Sequence, residues 1–111
     1  MKLPNCENAV VDDNKLIAYS LDPKHHVGKH KARVFQSVLN INLDNFYILK
    51  EAILKAVLVE NAVHSGKTEY GDLYSMDFEC AYLQRTAIVR TGWIVKKEEG
   101  FPRLTTCFII K

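Results

Sequence analysis

Residues 70–97 read YGDLYSMDFECAYLQRTAIVRTGWIVKK, and apolar and polar side chains alternate along most of this stretch. Successive side chains of a β-strand point to opposite faces, so a period of two predicts strands at 70–80 and 86–97. The apolar side of each strand is formed by Tyr74, Met76 and Phe78 in the first and by Ala87, Val89, Thr91, Trp93 and Val95 in the second. Trp93 is therefore expected in the core.

A third strand is predicted at 103–110, joined to the second by the turn Glu98-Glu99-Gly100. Strict alternation divides it into two sides, Leu104, Thr106, Phe108 and Ile110 on one and Arg103, Thr105, Cys107 and Ile109 on the other. The segment from His64 to Lys67 is interpreted as the connection between the helical and the strand-forming parts. The three strands then form an antiparallel meander.

Three helices are predicted before the strands, at 13–21, 29–39 and 43–60. The second and third carry apolar residues at helical spacing, and Asp22-Pro23 ends the first. The chain is thus predicted to be a single α+β domain, residues 1–111, with N-terminal helices packed on one face of a C-terminal antiparallel sheet.

The composition is that of an ordinary globular protein, with 48% hydrophobic and 25% charged residues in a chain of 111. A formal net charge of +2 is too small to indicate nucleic-acid binding by total charge, so any phosphate affinity has to come from local arrangement. The three cysteines form no C-x-x-C pair, which predicts neither a disulfide framework nor a zinc site. We expect a cytoplasmic protein without cofactor, metal or membrane association.

Three of the four histidines lie in residues 24–35, KHHVGKHKARVF, together with four Lys or Arg and no acidic residue. This basic segment combines groups that exchange protons near neutral pH with fixed positive charge, as phosphodiester chemistry requires. Alternatives are a solvated loop or a structural role for His30, which lies one turn before Val34 at the edge of the apolar stripe. A metal site formed by His25, His26 and His30 is less favoured, because the segment has no carboxylate or cysteine to complete it.

The sheet face opposite the helices is the second candidate site. It is predicted to carry Ser75, Asp77, Arg90, Arg103 and Thr105, with Gly92 allowing close approach of a ligand. Two arginines on neighbouring strands can clamp a phosphate. Alternatively, each arginine pairs with a carboxylate such as Asp77 or Glu79.

Several motifs together resemble a bacterial domain family of unassigned function, which occurs as small proteins and at the C-termini of toxin-like proteins. They are LPNCENAVV at 3–11, GKHKARVF at 28–35, YGDLYSMDF at 70–78, GWIV at 92–95 and PRLTTC at 102–107. The order of elements also looks like that of contact-dependent-inhibition tRNA-cleaving toxins of the barnase, EndoU, colicin and RelE superfold. This resemblance implies metal-free RNA cleavage on the open sheet face and a small antitoxin or immunity protein as partner.

Metal-free cleavage requires a base, an acid and cations, and the sequence offers candidates for each. We expect His30 as base or acid with His26 as its partner, and Arg90 and Arg103 on the phosphate. Further contacts are expected from Thr105, Tyr70, Lys29, Lys31 and Arg33, whereas His25 is interpreted as dispensable. The alternative is a non-catalytic module that binds an acidic protein or forms a homodimer through an open strand edge. An enzyme should bring His30, Arg90 and Arg103 into one concave site.

Overall fold

An antiparallel sheet of four strands occupies the C-terminal half of the chain in the computed structural model, which describes residues 1–110. The strands lie in the order β1-β2-β3-β4, and their bounds are β1 Val63–Lys67, β2 Gly71–Tyr82, β3 Arg85–Lys96 and β4 Pro102–Ile109. The predicted meander is thus confirmed for β2 to β4. The connection predicted at 64–67 is instead part of β1, a strand that sequence patterning does not indicate because its residues are polar or small apart from Val63 and four of the five are exposed.

Three α-helices precede the sheet, and each is extended at one end by a 3-10 turn or by a π-helical turn. They are α1 Asp13–Lys15 with a π-helical turn Leu16–Ser20, α2 Lys29–Val34 with a π-helical turn Phe35–Leu39, and α3 Phe46–Ala56 with a preceding 3-10 turn Leu43–Asn45. Asp12 begins α1 by accepting a hydrogen bond from the Asn14 amide, as N-cap residues do. None of the helices within residues 1–110 has the length and apolar character needed to cross a membrane.

The core lies between the helices and one face of the sheet. Phe35, Leu39, Leu49 and Ile53 from the helices are completely buried against sheet residues that include Met76, Phe78, Val89 and Trp93. Trp93 is 1% exposed and donates a 2.7 Å hydrogen bond to Thr91 Oγ1, which in turn donates to the Met76 carbonyl. The predicted α+β fold and the core position of Trp93 are confirmed.

The predicted alternation of β4 is wrong beyond Leu104. Gly92 pairs with Thr106 while Trp93 pairs with Leu104, so Thr105 is an extra residue, and the strand has a bulge there. Cys107 and Ile109 consequently join Leu104 in the core, and Phe108 pairs with Arg90 on the open face. A one-residue insertion reverses every later side chain of a strand, which strict alternation cannot anticipate.

Candidate functional site at the edge of β4

A recess of about 520 Å³ lies where the N-terminal helical segment meets the bulge of β4. It is lined by Asp12, Asn14, Lys15, Tyr19, His25, Val27 and Thr105, and we call it the edge recess. The lining residues come from α1 and its π-helical turn, from the loop before α2 and from β4. The fold therefore gathers side chains that are far apart in sequence around one concave surface.

Tyr19 of the recess lining belongs to a hydrogen-bonded polar triad with Lys31 and Thr106. Lys31 Nζ donates to Tyr19 Oη at 2.6 Å and to Thr106 Oγ1 at 2.9 Å. The same ammonium lies 4.5 Å from the centroid of the Tyr19 ring and 5.4 Å from that of Phe108, within the range of cation–π attraction. The hydrogen bond from Lys31 lowers the pKa of Tyr19, against the opposing effect of partial burial.

His25 is held by the backbone of the loop before α2. Its Nδ1 accepts hydrogen bonds from the Val27 amide at 3.0 Å and from the Gly28 amide at 2.9 Å. While both bonds are present, the hydrogen-bond pattern assigns the ring proton to Nε2. The ring meets Tyr19 edge-on with centroids 4.9 Å apart. His25 thus lies in the edge recess with its ring held by the loop backbone, whereas the sequence offered no role for it.

Gly28 allows the loop to approach Tyr19 this closely. A Cβ atom at position 28 would overlap the carbonyl oxygen of Tyr19 and would also crowd its ring. Only glycine can therefore occupy this position without displacing the loop from the π-helical turn.

The other predicted residues of the basic segment divide between different surfaces. His30 and Lys31 line a smaller recess of about 240 Å³ with Val34, Phe108 and Ile109. His26 is exposed in the loop before α2. Lys29 and Arg33 line a third recess on another side of α2. Lys31 is itself a member of the polar triad, and His25 of the same basic segment contacts the Tyr19 ring.

Both predicted phosphate-binding arginines are engaged by carboxylates. Arg90 donates from Nε and Nη2 to the two carboxylate oxygens of Asp77, at 2.9 and 3.0 Å, on the open face. Arg103 donates from Nε to Glu99 at 2.7 Å, and this hydrogen bond lowers the pKa of the Glu99 carboxyl. Arg103 lines a recess near Lys15 and Lys96, whereas His30 lines the recess near Phe108. The expected convergence of His30, Arg90 and Arg103 on one recess is therefore not observed among the described residues.

Thr105 and Tyr70 also occupy different places. Thr105 lines the edge recess, and its Oγ1 would lie 3.1 Å from a Cβ built on Gly92, so the two residues are in close contact. Tyr70 is 66% exposed at the turn between β1 and β2, and its backbone carbonyl accepts a hydrogen bond from the Lys97 amide. Thr105 therefore belongs to the candidate site, and Tyr70 lies at a separate turn of the sheet.

Within residues 1–110, no three side chains of His, Cys, Asp or Glu gather closely enough to hold a metal ion. His25, His26 and His30, weighed above as a metal-binding set, do not converge. His25 instead uses Nδ1 as an acceptor for two amides of its own loop.

Tyr19, His25 and Thr106 are the site residues that sequence reasoning missed. Lys31 and Thr106 are separated by 75 positions, and no local pattern links two residues so far apart. His25 did have a signal, because a side-chain acceptor two or three residues before Val27 and Gly28 can bind their free amides in a turn. No sequence signal indicated the bulge that places Thr105 and Thr106 beside Gly92.

The architecture is that of an α+β protein, and it is shared with a chain of known structure. One chain of the contact-dependent growth inhibition toxin - immunity protein complex from Klebsiella pneumoniae 342 is similar, with a TM-score of 0.72 and 16% sequence identity. The similarity covers 91% of this chain and 99% of that chain, and at this identity it concerns the fold. The chain belongs to the family described as Domain of unknown function (DUF6883), whose model matches residues 2–111. No curated protein matches the sequence.

Proposed function

We propose that this chain is a metal-independent endoribonuclease toxin of a bacterial toxin–antitoxin or toxin–immunity pair, acting on tRNA or other RNA at the edge recess. The observation that carries the proposal is the polar triad, in which a lysine ammonium is bonded to a tyrosine hydroxyl beside an open recess. Its fold, shared with a chain of a toxin–immunity complex, supports the same reading. A small cognate protein would then cover the recess.

The proposed reaction is attack of a ribose 2′-oxygen on the adjacent phosphorus. The O2′–P bond forms while the P–O5′ bond breaks, so one proton must leave the 2′-hydroxyl and one must reach O5′. Tyr19 gives its hydroxyl proton to O5′, and the ammonium of Lys31 stabilises the resulting phenolate and the crowded phosphate. The lowered pKa of Tyr19 supports this role, because it makes the hydroxyl a stronger acid.

His30 takes the proton from the 2′-hydroxyl in this proposal, since it precedes Lys31 and lines the neighbouring recess. His25 donates from Nε2 to a phosphate oxygen, and Thr105 offers a hydroxyl from the other wall. Arg90 and Arg103 could bind phosphate only by exchanging their carboxylate partners. We therefore assign the binding of the phosphate primarily to Lys31 and His25.

A non-catalytic interaction module remains the second candidate, and a specific observation favours it. His30, Arg90 and Arg103 occupy separate surfaces, which is the arrangement expected of a binding protein. The sheet also offers an edge, because β1 is its outer strand, whereas β4 is paired in part with Val10. An open edge can pair with a partner strand or with a second copy of the chain.

Induced expression in a bacterial host separates the two candidates. Growth and total tRNA integrity would be followed for the wild type, for Tyr19→Phe and for Lys31→Met. Tyr47→Phe and Lys55→Met are matched controls, because both residues are exposed on α3. We expect growth arrest with discrete RNA fragments in the wild type and both controls, and neither effect in the two triad variants. Normal growth with intact RNA from folded wild-type protein would contradict the nuclease and favour the binding module.

A further inference from the structure

α2 lines a second concave surface on the side that does not carry the polar triad. Ala32, Arg33 and Gln36 come three, four and seven residues after Lys29, so the four residues share one side of α2 and its π-helical turn. They line a groove of about 520 Å³ together with Leu21, Pro23, Asn42, Leu43 and Asp44, and we call it the α2 groove. His30, Lys31 and Val34 line a different recess, so the α2 groove and that recess lie on different sides of the helix.

The apolar part of the α2 groove is aliphatic. Leu21 and Ala32 are buried at its base, with 2% and 6% of their surface exposed, and Leu43 stands 40% exposed at its rim. An exposed leucine beside an apolar base is suited to receive another aliphatic side chain. The described lining contains no aromatic ring on which a nucleic-acid base could stack, and base stacking is the usual basis of single-strand recognition.

Two cations of the groove have no ion-pair partner among residues 1–110. The ion pairs in this part of the chain are Lys50–Asp13, His64–Asp72, Arg90–Asp77 and Arg103–Glu99. Lys29 and Arg33 are both exposed and lie one helical turn apart, so their charges act on the same place. Asp44 is the single acidic residue of the lining.

The polar wall of the groove is already ordered. Asn42 donates to Gln36 at 2.8 Å, Gln36 donates to Asn40 at 2.9 Å, and the Asn42 side chain also accepts from the Asp44 amide at 2.8 Å. These bonds join α2 to the turn before α3, so that a ligand would not have to order this wall on binding. A preformed wall lowers the entropic cost of association.

We propose that the α2 groove binds an acidic segment of a partner protein. An aliphatic side chain of the segment packs on Leu21, Ala32 and Leu43, and carboxylates on either side of it pair with Lys29 and Arg33. The positive charges of Lys29 and Arg33 favour an acidic partner. The aliphatic base of the groove favours a protein over an RNA. This proposal does not depend on catalysis at the edge recess, because the groove lies on another side of α2.

The test is a titration of the ¹⁵N-labelled chain, followed by NMR, with the blocked pentapeptide EDLED at concentrations up to millimolar. We expect amide shifts concentrated at Leu21, Ala32 and Leu43. The double variant Lys29→Ala/Arg33→Ala should lose about fivefold or more in affinity, and the matched control Lys55→Ala/Lys97→Ala should lose none. High salt should weaken the binding, since the pairs are exposed.

Three results would overturn the proposal. The first is the absence of shifts at these amides with millimolar EDLED peptide, and the second is an equal response to the basic peptide KKLKK. The third is a stronger perturbation of the same amides by a 2′-O-methyl oligouridine, which would assign the groove to RNA. Because the readout is binding, none of these results depends on whether the chain cleaves RNA.

Discussion

The ammonium of Lys31 lies 2.6 Å from the phenolic oxygen of Tyr19 and thereby joins α2 to the π-helical turn that follows α1. Because the same ammonium also donates to Thr106, this single side chain connects two helical segments to β4. The hydrogen bond from Lys31 is the largest cause of the lowered pKa of Tyr19, and it ties the hydroxyl of this recess residue to α2. The functional proposal therefore depends on a contact whose properties can be measured directly.

Replacing Lys31 by methionine should raise the pKa of Tyr19 relative to wild type. In the wild-type chain that pKa is lowered from the ordinary value of 10.0, chiefly by the hydrogen bond from Lys31. An NMR titration of the Tyr19 ring carbon that bears the hydroxyl would follow the change. The same titration in Lys55→Met is the control and should reproduce the wild-type curve.

The sign of the linked stability effect follows from the direction of that shift. A tyrosine with a lowered pKa in the folded state gains stability as the pH rises through that pKa, and it contributes nothing by this route at neutral pH. The wild type should therefore lose less stability than Lys31→Met between neutral and alkaline pH. Identical Tyr19 titration curves in the two proteins would contradict the contact.

Thr106→Val should destabilise the chain by about 0.5–1.5 kcal/mol, because it removes the hydroxyl that accepts from Lys31 in a partly buried position. Urea unfolding gives the change in the free energy of unfolding. Thr86→Val is the matched control on the exposed side of β3 and should stay within about 0.5 kcal/mol of wild type. Equal effects of the two variants would mean that the hydroxyl of Thr106 is not engaged.

Gly28→Ala should destabilise the chain by about 1–3 kcal/mol and should displace Tyr19 from His25. The added methyl group has no room, since it would meet the backbone carbonyl of Tyr19. At Gly66, in contrast, the nearest atom to an added Cβ is Leu73 Cδ1 at 3.8 Å, an ordinary contact. Gly66→Ala is thus the control, and thermal unfolding of the two variants makes the comparison. A Gly28→Ala protein as stable as Gly66→Ala would contradict the close approach.

The fold was predictable because its main elements follow simple periodicities. The alternation in residues 70–97 identified β2 and β3 and placed Met76, Val89 and Trp93 in the core. β1 could not be predicted from the sequence, because this exposed edge strand has no apolar side and therefore no alternation of apolar and polar residues. The sequence predicts that the third helix runs to residue 60, whereas α3 ends at Ala56. The apolar residues after Ala56, such as the exposed Leu58, suggest a longer helix but belong to a turn.

The candidate site was predictable only in part, and the reason is tertiary. Lys31 and Thr105 were selected from the sequence, and both border the edge recess or its triad. Tyr19 lies within a helical segment, where no sequence pattern distinguishes it, and Thr106 follows directly after the bulge residue Thr105. The sequence predicts Arg90 and Arg103 as phosphate ligands, but Asp77 and Glu99 bind them in the folded chain.

The thiol groups should differ sharply in reactivity. Burial raises the pKa of Cys107 to about 11 and also raises that of Cys80, so that little reactive thiolate forms at pH 8. Cys6 is only partly buried. We expect a thiol reagent to modify Cys6 rapidly in the native protein and the other two only after unfolding, as mass spectrometry of the labelled peptides would reveal. Labelling of all three cysteines at one rate in the native state would contradict the burial of Cys80 and Cys107.

The most direct test of the proposed activity is incubation of the purified chain with total tRNA in the presence of EDTA, followed by analysis of the RNA ends. We expect fragments that end in a 2′,3′-cyclic phosphate and begin with a 5′-hydroxyl. Tyr19→Phe and Lys31→Met should abolish cleavage, while Tyr47→Phe and Lys55→Met should retain it. Intact RNA after incubation with folded wild-type protein, or undiminished cleavage by the folded triad variants, would contradict it.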